Sequence, residues 1–445
     1  MLSLSLGAQS APAAGDRGWT MPGDEEIRRL LIDRLDGRVA GVVVGVLEPA
    51  GTRIVTHGRS AASDGRPLDG DTVFQIGSIT KVFTGLVLAD MTVRGLVRLD
   101  DPAAMYLPAG VRMPQRGRAI TLIDLSKHWS GLPSMPYFSL QGRPDPYAAY
   151  SADDLYRFLN TFTPAREPGT QEYSNLGVAL LGRLLARHSG LEYEALLRQR
   201  VLDPLGLRST AISVTADMRR RLSPGHDRYL QPVETWNLLA MPASGSLRST
   251  ANDLLQLVRF NLSDASPLRE AMALQRAPDR ALGWGRSTLG GEAVYGHEGG
   301  KEGYRSAVVF NPRTKTGVVV LTNTRSDESP MAIARHLLFG GQPLPAPGAI
   351  PKRPNRAALE TTTLGQYEGR YRLDSGGTIE VARRGDHLLV QVLGEGVGTY
   401  FASDRDRFWG NTDDADLRFE RDAGGRVSTL ALRVGSVTRV SVRMR

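Results

Sequence analysis

GHEGGKEGYRSAVVFNPRTKTGVVV, residues 296–320, holds two apolar, β-branched runs separated by Asn311-Pro312, a strong turn initiator, with Gly317 restarting the second run. It reads as an antiparallel hairpin, residues 306–310 and 317–323, and a hairpin of this kind has to sit in a sheet. Two triplets flank it, His297-Glu298-Gly299 and Lys315-Thr316-Gly317. The second lies at the hairpin tip and the first beyond the far end of the first strand. About ten residues at roughly 3.3 Å each put some 30 Å between them, so both cannot line one site.

Outward from this hairpin, the partners of the sheet lie near the other end of the chain. VAGVVVGVLEP and TRIVTHG, around Pro49-Ala50-Gly51, read as a second hairpin. Before it, DEEIRRLLIDRL carries Ile27, Leu30, Leu31 and Leu35 at helical spacing behind Asp24, an N-cap candidate. After it, a long apolar helix runs from about Ser78 to Arg94 and stops at Gly95. The middle third is mainly helical, and a last helix falls around residues 328–338. Strands at both ends with helices between predict an α/β domain over residues 22–340, one sheet assembled from distant segments and covered by helices.

Five prolines between Pro343 and Pro354 mark residues 341–363 as a semi-rigid linker. Beyond it the pattern is wholly β, with TIEVARRG, HLLVQVLG and LRFERDAGGRVSTLALRV broken by Gly and Asp turns, so residues 364–445 form a small barrel or sandwich. Residues 1–21 are a tail. Their short apolar run followed by small residues reads either as the remnant of an export signal, giving a periplasmic or secreted protein, or as a plain Ala/Ser/Gly tail on a cytoplasmic one.

The chain has 445 residues, 41% of them hydrophobic, enough for one large and one small core. Its net charge of +8 is spread thinly, with no basic run longer than Arg219-Arg220-Arg221, which describes a solvated surface and excludes a nucleic-acid arm. There is no cysteine, so disulfides and thiolate metal sites are excluded. No apolar run reaches the length of a transmembrane helix. His297-Glu298 begins like the zinc motif H-E-x-x-H, but Lys301 stands at the second histidine, so neither metal nor cofactor is implied. Oligomeric state has no readable signal.

Lysine is scarce: Lys81, Lys127, Lys301, Lys315 and Lys352 are the five in the chain. Ser78 precedes Lys81 by three positions, so the two can share one helix face a turn apart, the geometry that couples a weak nucleophile to a base. On spacing alone, an N-cap serine beside a surface lysine fits equally. Tyr173, Ser174 and Asn175 enter a helix whose apolar face is Leu176, Leu180, Leu181 and Leu184, where they either cap it or present a phenol and an amide to chemistry.

The order Ser78-x-x-Lys81, Tyr173-Ser174-Asn175, His297-Glu298-Gly299, set in FQIGSITKVFTG, PGTQEYSNLG, SLRSTANDLLQL and GHEGGKEGYRSAVVFNP, is similar to the serine β-lactamase and penicillin-binding-protein superfamily over residues 24–340. Class C β-lactamases, D-Ala-D-Ala carboxypeptidases, D-aminopeptidases and family VIII carboxylesterases are the groups it resembles. The resemblance implies a β-lactamase/transpeptidase-like fold, an antiparallel sheet flanked by helices with a mainly helical subdomain, followed by a lipocalin-like all-β module.

It further implies Ser78 as the acylated nucleophile, Lys81 as its base and Tyr173 as proton relay. Asn175 would bind substrate or Lys81, His297 and Gly299 would line the substrate, and the N–H groups of Ser78 and Gly300 would form an oxyanion hole. His297-Glu298-Gly299 takes the third-motif position and Lys315-Thr316-Gly317 is a turn. The departures are Tyr-Ser-Asn and His-Glu-Gly where class A enzymes carry S-D-N and K-T-G, and no counterpart of the class A glutamate loop.

The activity implied is a serine hydrolase acting through an acyl-enzyme on a small or peptide substrate, with D-amino-acid peptides favoured and β-lactams as related acylating agents. A carboxylesterase is the alternative within catalysis, and a cell-wall peptide receptor the alternative outside it. LSKHWSGLP, with Lys127, His128 and Trp129, reads as a structural loop, Trp129 being the one of the three with a place at the border of a pocket.

Overall fold

The structure, a computed structural model, describes residues 19–444 apart from 64, 141–144, 146, 237–238 and 341. The N-terminal stretch with its export-signal reading therefore lies outside the described residues up to residue 18. Among the described residues, eight strands precede the proline-rich segment: β1 (Gly41–Glu48), β2 (Gly51–Gly58), β3 (Phe74–Gln75), β4 (Arg248–Ser249), β5 (Gly285–Leu289), β6 (Glu292–Lys301), β7 (Tyr304–Asn311) and β8 (Thr316–Thr322). Six of them form one antiparallel sheet in the order β2-β1-β8-β7-β6-β5. The two hairpins read from opposite ends of the chain meet where β1 pairs with β8, Val44 opposite Val320. Both strands are buried on both faces, which is why they are runs of valine without polar alternation.

One face of the sheet packs on helices Asp24–Leu35 and Pro330–Leu338 through Ile27, Leu31, Val44, Val309, Val320 and Ile333. The other face carries the larger core, in which the helix Thr80–Val93 is central. That helix is buried from Thr80 through Met91 and is correspondingly apolar all round. It ends where Gly95 takes φ +70°, as the sequence indicates.

Three readings are corrected here. Asp24 is the first helical residue and Gly23 the cap; Asp24 serves the acidic first turn and meets Arg53. Ser78 lies in a 3₁₀ turn, Gly77–Ile79, one step before the α-helix. HEGGK is itself the end of β6, folded back along β7 with Gly299 opposite Ser306 and Gly300 opposite Arg305. The distance between Gly300 and the Lys315 turn is therefore nearer six residues of strand, about 20 Å, still too far for a shared site. Lys315 holds a turn conformation with φ +54°.

The C-terminal strands, β9 (Gly369–Leu373), β10 (Thr378–Arg384), β11 (His387–Val392), β12 (Val397–Asp404), β13 (Arg407–Gly410), β14 (Ala415–Arg421), β15 (Val427–Val434) and β16 (Val437–Arg443), close into an eight-stranded antiparallel barrel. Closure of β16 onto β9 removes both free edges. Tyr367, Tyr371, Phe408 and Phe419 fill its core. The barrel seats on the helical side of the first domain: Met135 N–H donates to the Gly394 carbonyl at 2.8 Å, Val397 N–H to the Tyr147 hydroxyl at 2.8 Å, and Ser139 Oγ to Glu380 at 2.7 Å. Ala382 and Leu389 on its outer wall join the large core.

Candidate active site

Ser78 and Lys81 sit one turn apart at the start of the buried helix, and Lys81 is 1% exposed, which removes the surface-lysine reading. Ser78 makes no side-chain cap either. Lys81 Nζ lies 2.9 Å from Ser78 Oγ, 2.7 Å from Asn175 Oδ1 and 2.6 Å from the Ser244 carbonyl. Among the described residues no carboxylate pairs with it, and burial pushes its ammonium down to about 7. As a neutral amine it gives two N–H groups to Asn175 and Ser244, leaving its lone pair for the Ser78 proton.

Tyr173 completes the arrangement from the far side. Its hydroxyl donates to Ser78 Oγ at 2.8 Å, and its ring centroid lies 5.0 Å from Lys81 Nζ. Burial raises the phenol, so in the resting site it keeps its proton. Tyr173 and Asn175 owe their position to Ser174, the true cap of helix Asn175–Ser189, whose Oγ accepts from Gly177 N–H at 2.8 Å and donates to the Pro133 carbonyl at 2.7 Å. Capping and chemistry are thus divided within one tripeptide.

The loop read as structural holds this tripeptide in place. His128 Nδ1 accepts from Ser174 N–H at 3.1 Å, and its ring lies 4.4 Å from that of Tyr173. The accepting nitrogen requires the neutral imidazole, and burial with the nearby Lys81 holds His128 down to about 3. Trp129 borders the same loop with Lys127 Nζ 3.8 Å over its ring.

β6 supplies the remaining wall. β5 pairs only as far as Gly296, so residues 297–301 present a free edge toward Ser78. A Cβ on Gly77 would lie 2.8 Å from Gly300 N, and one on Gly299 would lie 2.0 Å from the Ile76 carbonyl oxygen, so the 3₁₀ turn and the strand touch backbone to backbone. That contact brings the backbone of Gly300 against the turn that carries Ser78. His297 is half-buried on the same edge; burial and Lys81 hold it down to about 4, and its Nδ1 lies 2.6 Å from the Glu298 carbonyl.

The structure therefore brings Ser78, Lys81, Tyr173, Asn175, His297, Gly299 and Gly300 to one place. The Ser244 carbonyl and the Asn175 neighbour Ser134, 3.4 Å from Nδ2, had no sequence signal, since a backbone acceptor and loop contacts have no code, and His128 was legible only as part of a structural loop. Among the described residues no group of three or more His, Asp or Glu is arranged to hold a metal ion, and no helix is long and apolar enough to cross a membrane.

The pH profile follows from these groups. Of Lys81, His128 and His297, Lys81 is the one brought near neutrality, since the two histidines stay neutral down to about 3 and 4. With neutral Lys81 as the base, kcat/KM for an uncharged ester is expected to rise with unit slope to an apparent pKa near 7 and level off above it. An acid limb centred below pH 5 in the measured profile would assign the base elsewhere.

A family model described as "Beta-lactamase" matches residues 27–341, and one described as "Domain of unknown function (DUF3471)" matches residues 353–444. A beta-lactamase of Pseudomonas fluorescens is 28% identical over 239 residues, 53% of this chain and 64% of that protein. The D-alanyl-D-alanine-carboxypeptidase/endopeptidase AmpH of Escherichia coli K12 is 34% identical over 195 residues, 43% of this chain and 50% of that protein. The chain thus spans between half and two thirds of the length of these curated relatives. Among solved structures, the octameric penicillin-binding protein homologue of Pyrococcus abyssi shares the fold over 94% of this chain and 99% of its own, with a TM-score of 0.62 at 21% identity.

Proposed function

The chain belongs to the beta-lactamase family, and from that membership we propose that it is a serine hydrolase working through an acyl-enzyme on D-amino-acid peptides or related peptide-like amides, with β-lactams as acylating analogues. The observation that carries the reading is Ser78 Oγ held at 2.9 Å from a buried, neutralisable Lys81 and 2.8 Å from the Tyr173 hydroxyl. A receptor pocket has no use for a serine with a matched proton path. The carboxypeptidase/endopeptidase named among its relatives supports the D-peptide class, and that class favours the periplasmic or secreted location.

In this reading Ser78 Oγ bonds to the substrate carbonyl carbon as Lys81 takes the hydroxyl proton, and the Ser78 and Gly300 N–H groups receive the oxyanion. The C–N bond then breaks as Tyr173 gives its proton to the leaving nitrogen, leaving a lysinium beside a phenolate. Water enters, the phenolate takes its proton, and the hydroxide attacks the ester. Ser78 Oγ leaves with the proton from Lys81, and both side chains return to their starting states.

The test is the intact mass of the protein over time after mixing with benzylpenicillin, followed by peptide digestion. The expected result is an adduct of one penicillin, located on the peptide that contains Ser78. Its lifetime then separates a slowly deacylating peptidase from a lactamase. An adduct on any other peptide, or no adduct together with no hydrolysis of a D-Ala-D-Ala peptide, would overturn the reading.

A further inference from the structure

A cavity of about 380 Å³ shares elements with the site and has no part in the chemistry above. It lies within the size range of small-ligand pockets. Its wall is the turn that follows Pro242: Ser244 gives its carbonyl to Lys81 on one side, while Ala243 and Ser246 line the cavity on the other. Gln75, three residues before Ser78, and Lys301, the residue after Gly300, also border it. The cavity therefore begins where the site's own elements continue.

The helix that starts at Asn175 makes this continuity specific. Asn175, Ala179, Arg183 and Arg187 recur every fourth residue, so each neighbours the next in a row that winds slowly around the helix, and the last three line the cavity. Eight residues at 1.5 Å each carry the row about 12 Å from Asn175 to Arg183. In the proposed reaction the leaving group meets Tyr173, which leaves the space between Asn175 and the β6 edge, at the head of this row, for the acyl portion.

The charge of the cavity is one-sided. Arg183, Arg187, Arg248 and Lys301 line it, against Glu192 and Glu194. Glu194 is already engaged, accepting from Ile212 N–H and Ser213 N–H at 2.8 Å each. Lys301 is committed to Glu302 at 3.0 Å. Among the described residues neither Arg183 nor Arg187 meets a carboxylate, and Arg183 Nε is buried without a hydrogen-bond partner. Tyr156, whose ring centroid is 5.9 Å from the Arg183 guanidinium, and Trp236 supply aromatic wall. Arg183, half-buried, and Arg187, exposed at the mouth, are both without a carboxylate partner beside aromatic surface, which suits a carboxylate at the end of an apolar chain.

We propose that this cavity is an acyl-side subsite selecting substrates whose acyl portion ends in a carboxylate about 12 Å from the scissile carbonyl, anchored by Arg183 and Arg187. The proposal deepens the hydrolase reading and rests on it. It makes the enzyme selective for acidic peptides over neutral ones of equal length.

The test uses the full chain carrying Ser78→Ala, so that binding is read without turnover. N-glutaryl-glycyl-D-alanyl-D-alanine and N-pentanoyl-glycyl-D-alanyl-D-alanine differ only by carboxylate against methyl at that distance, and each is titrated calorimetrically. The acidic peptide is expected to bind at least about tenfold more tightly. That ratio is expected to collapse toward one in Arg183→Gln/Arg187→Gln and to persist in part in Arg183→Lys/Arg187→Lys, which keeps the charge in a folded background. Equal affinities, binding of neither peptide, or a ratio unmoved by the glutamine pair would overturn the subsite. Failure of the acyl-enzyme reading is seen separately, as a missing Ser78 adduct in the parent protein.

Discussion

Ser78→Ala is expected to lower kcat/KM for an activated ester by about four orders of magnitude or more, with Lys81→Ala costing little further in that background. The substitution removes one oxygen. That oxygen is both the proposed nucleophile and the point where the 2.9 Å contact from Lys81 and the 2.8 Å contact from Tyr173 converge. Without it, neither proton carrier has a reacting atom to serve, so the three side chains act as a unit and their single effects do not add. Lys81→Ala alone falls nearly as far, because it also strips Asn175 Oδ1 and the Ser244 carbonyl of their donor. Steady-state rates of the two single variants and the double variant decide it. Additive losses, or a Ser78→Ala protein within tenfold of the parent, would remove Ser78 from the chemistry.

What could be read from the sequence was whatever is encoded locally. Helix Asn175–Ser189 and the β7–β8 hairpin show their apolar character directly, the helix through its buried leucines and the hairpin through strands buried on both faces, between two cores. The end of β6 was hidden because HEGGK has no apolar alternation: its glycines are there for close backbone approach, and its polar residues line an edge. Ser78, Lys81 and Tyr173 were legible as spaced residues, but their meeting was not, since 95 residues separate Ser78 from its partner Tyr173. The Ser244 carbonyl and the arginine row show the same limit. Arg183 and Arg187 stand out only once the helix is known to start at the site and to run along a cavity. In the barrel, strand composition announced β-structure, whereas closure depends on pairing β16 with β9, a contact no local pattern carries.

The adjacent glycines of β6 give the sharpest test of how the site is held, because their expected outcomes differ although the substitution is the same. A Cβ on Gly299 would lie 2.0 Å from the Ile76 oxygen and 2.5 Å from Ser306 Oγ. Neither can yield, since Ile76 is fixed by its N–H to the Leu247 carbonyl at 3.1 Å and by Ser306 Oγ donating to its carbonyl at 2.9 Å. Gly299→Ala therefore drives β6 away from the 3₁₀ turn and takes the Gly300 N–H away from the developing oxyanion. The loss of one such donor costs about 10²–10³ in kcat, and a fall of that size is expected with the circular dichroism of the fold retained. A Cβ on Gly300 would meet only Arg325 Nη1, at 2.3 Å, the far end of a long side chain whose partner, Asp413 in the β13–β14 loop, is 3.0 Å away at the exposed rim of the barrel. That guanidinium can swing aside, so Gly300→Ala is expected to cost only a few-fold. Equal losses at the two positions would mean that strand β6 moves as freely as a side chain, and that the backbone contact between Gly299 and Ile76 does not hold the oxyanion donors in place.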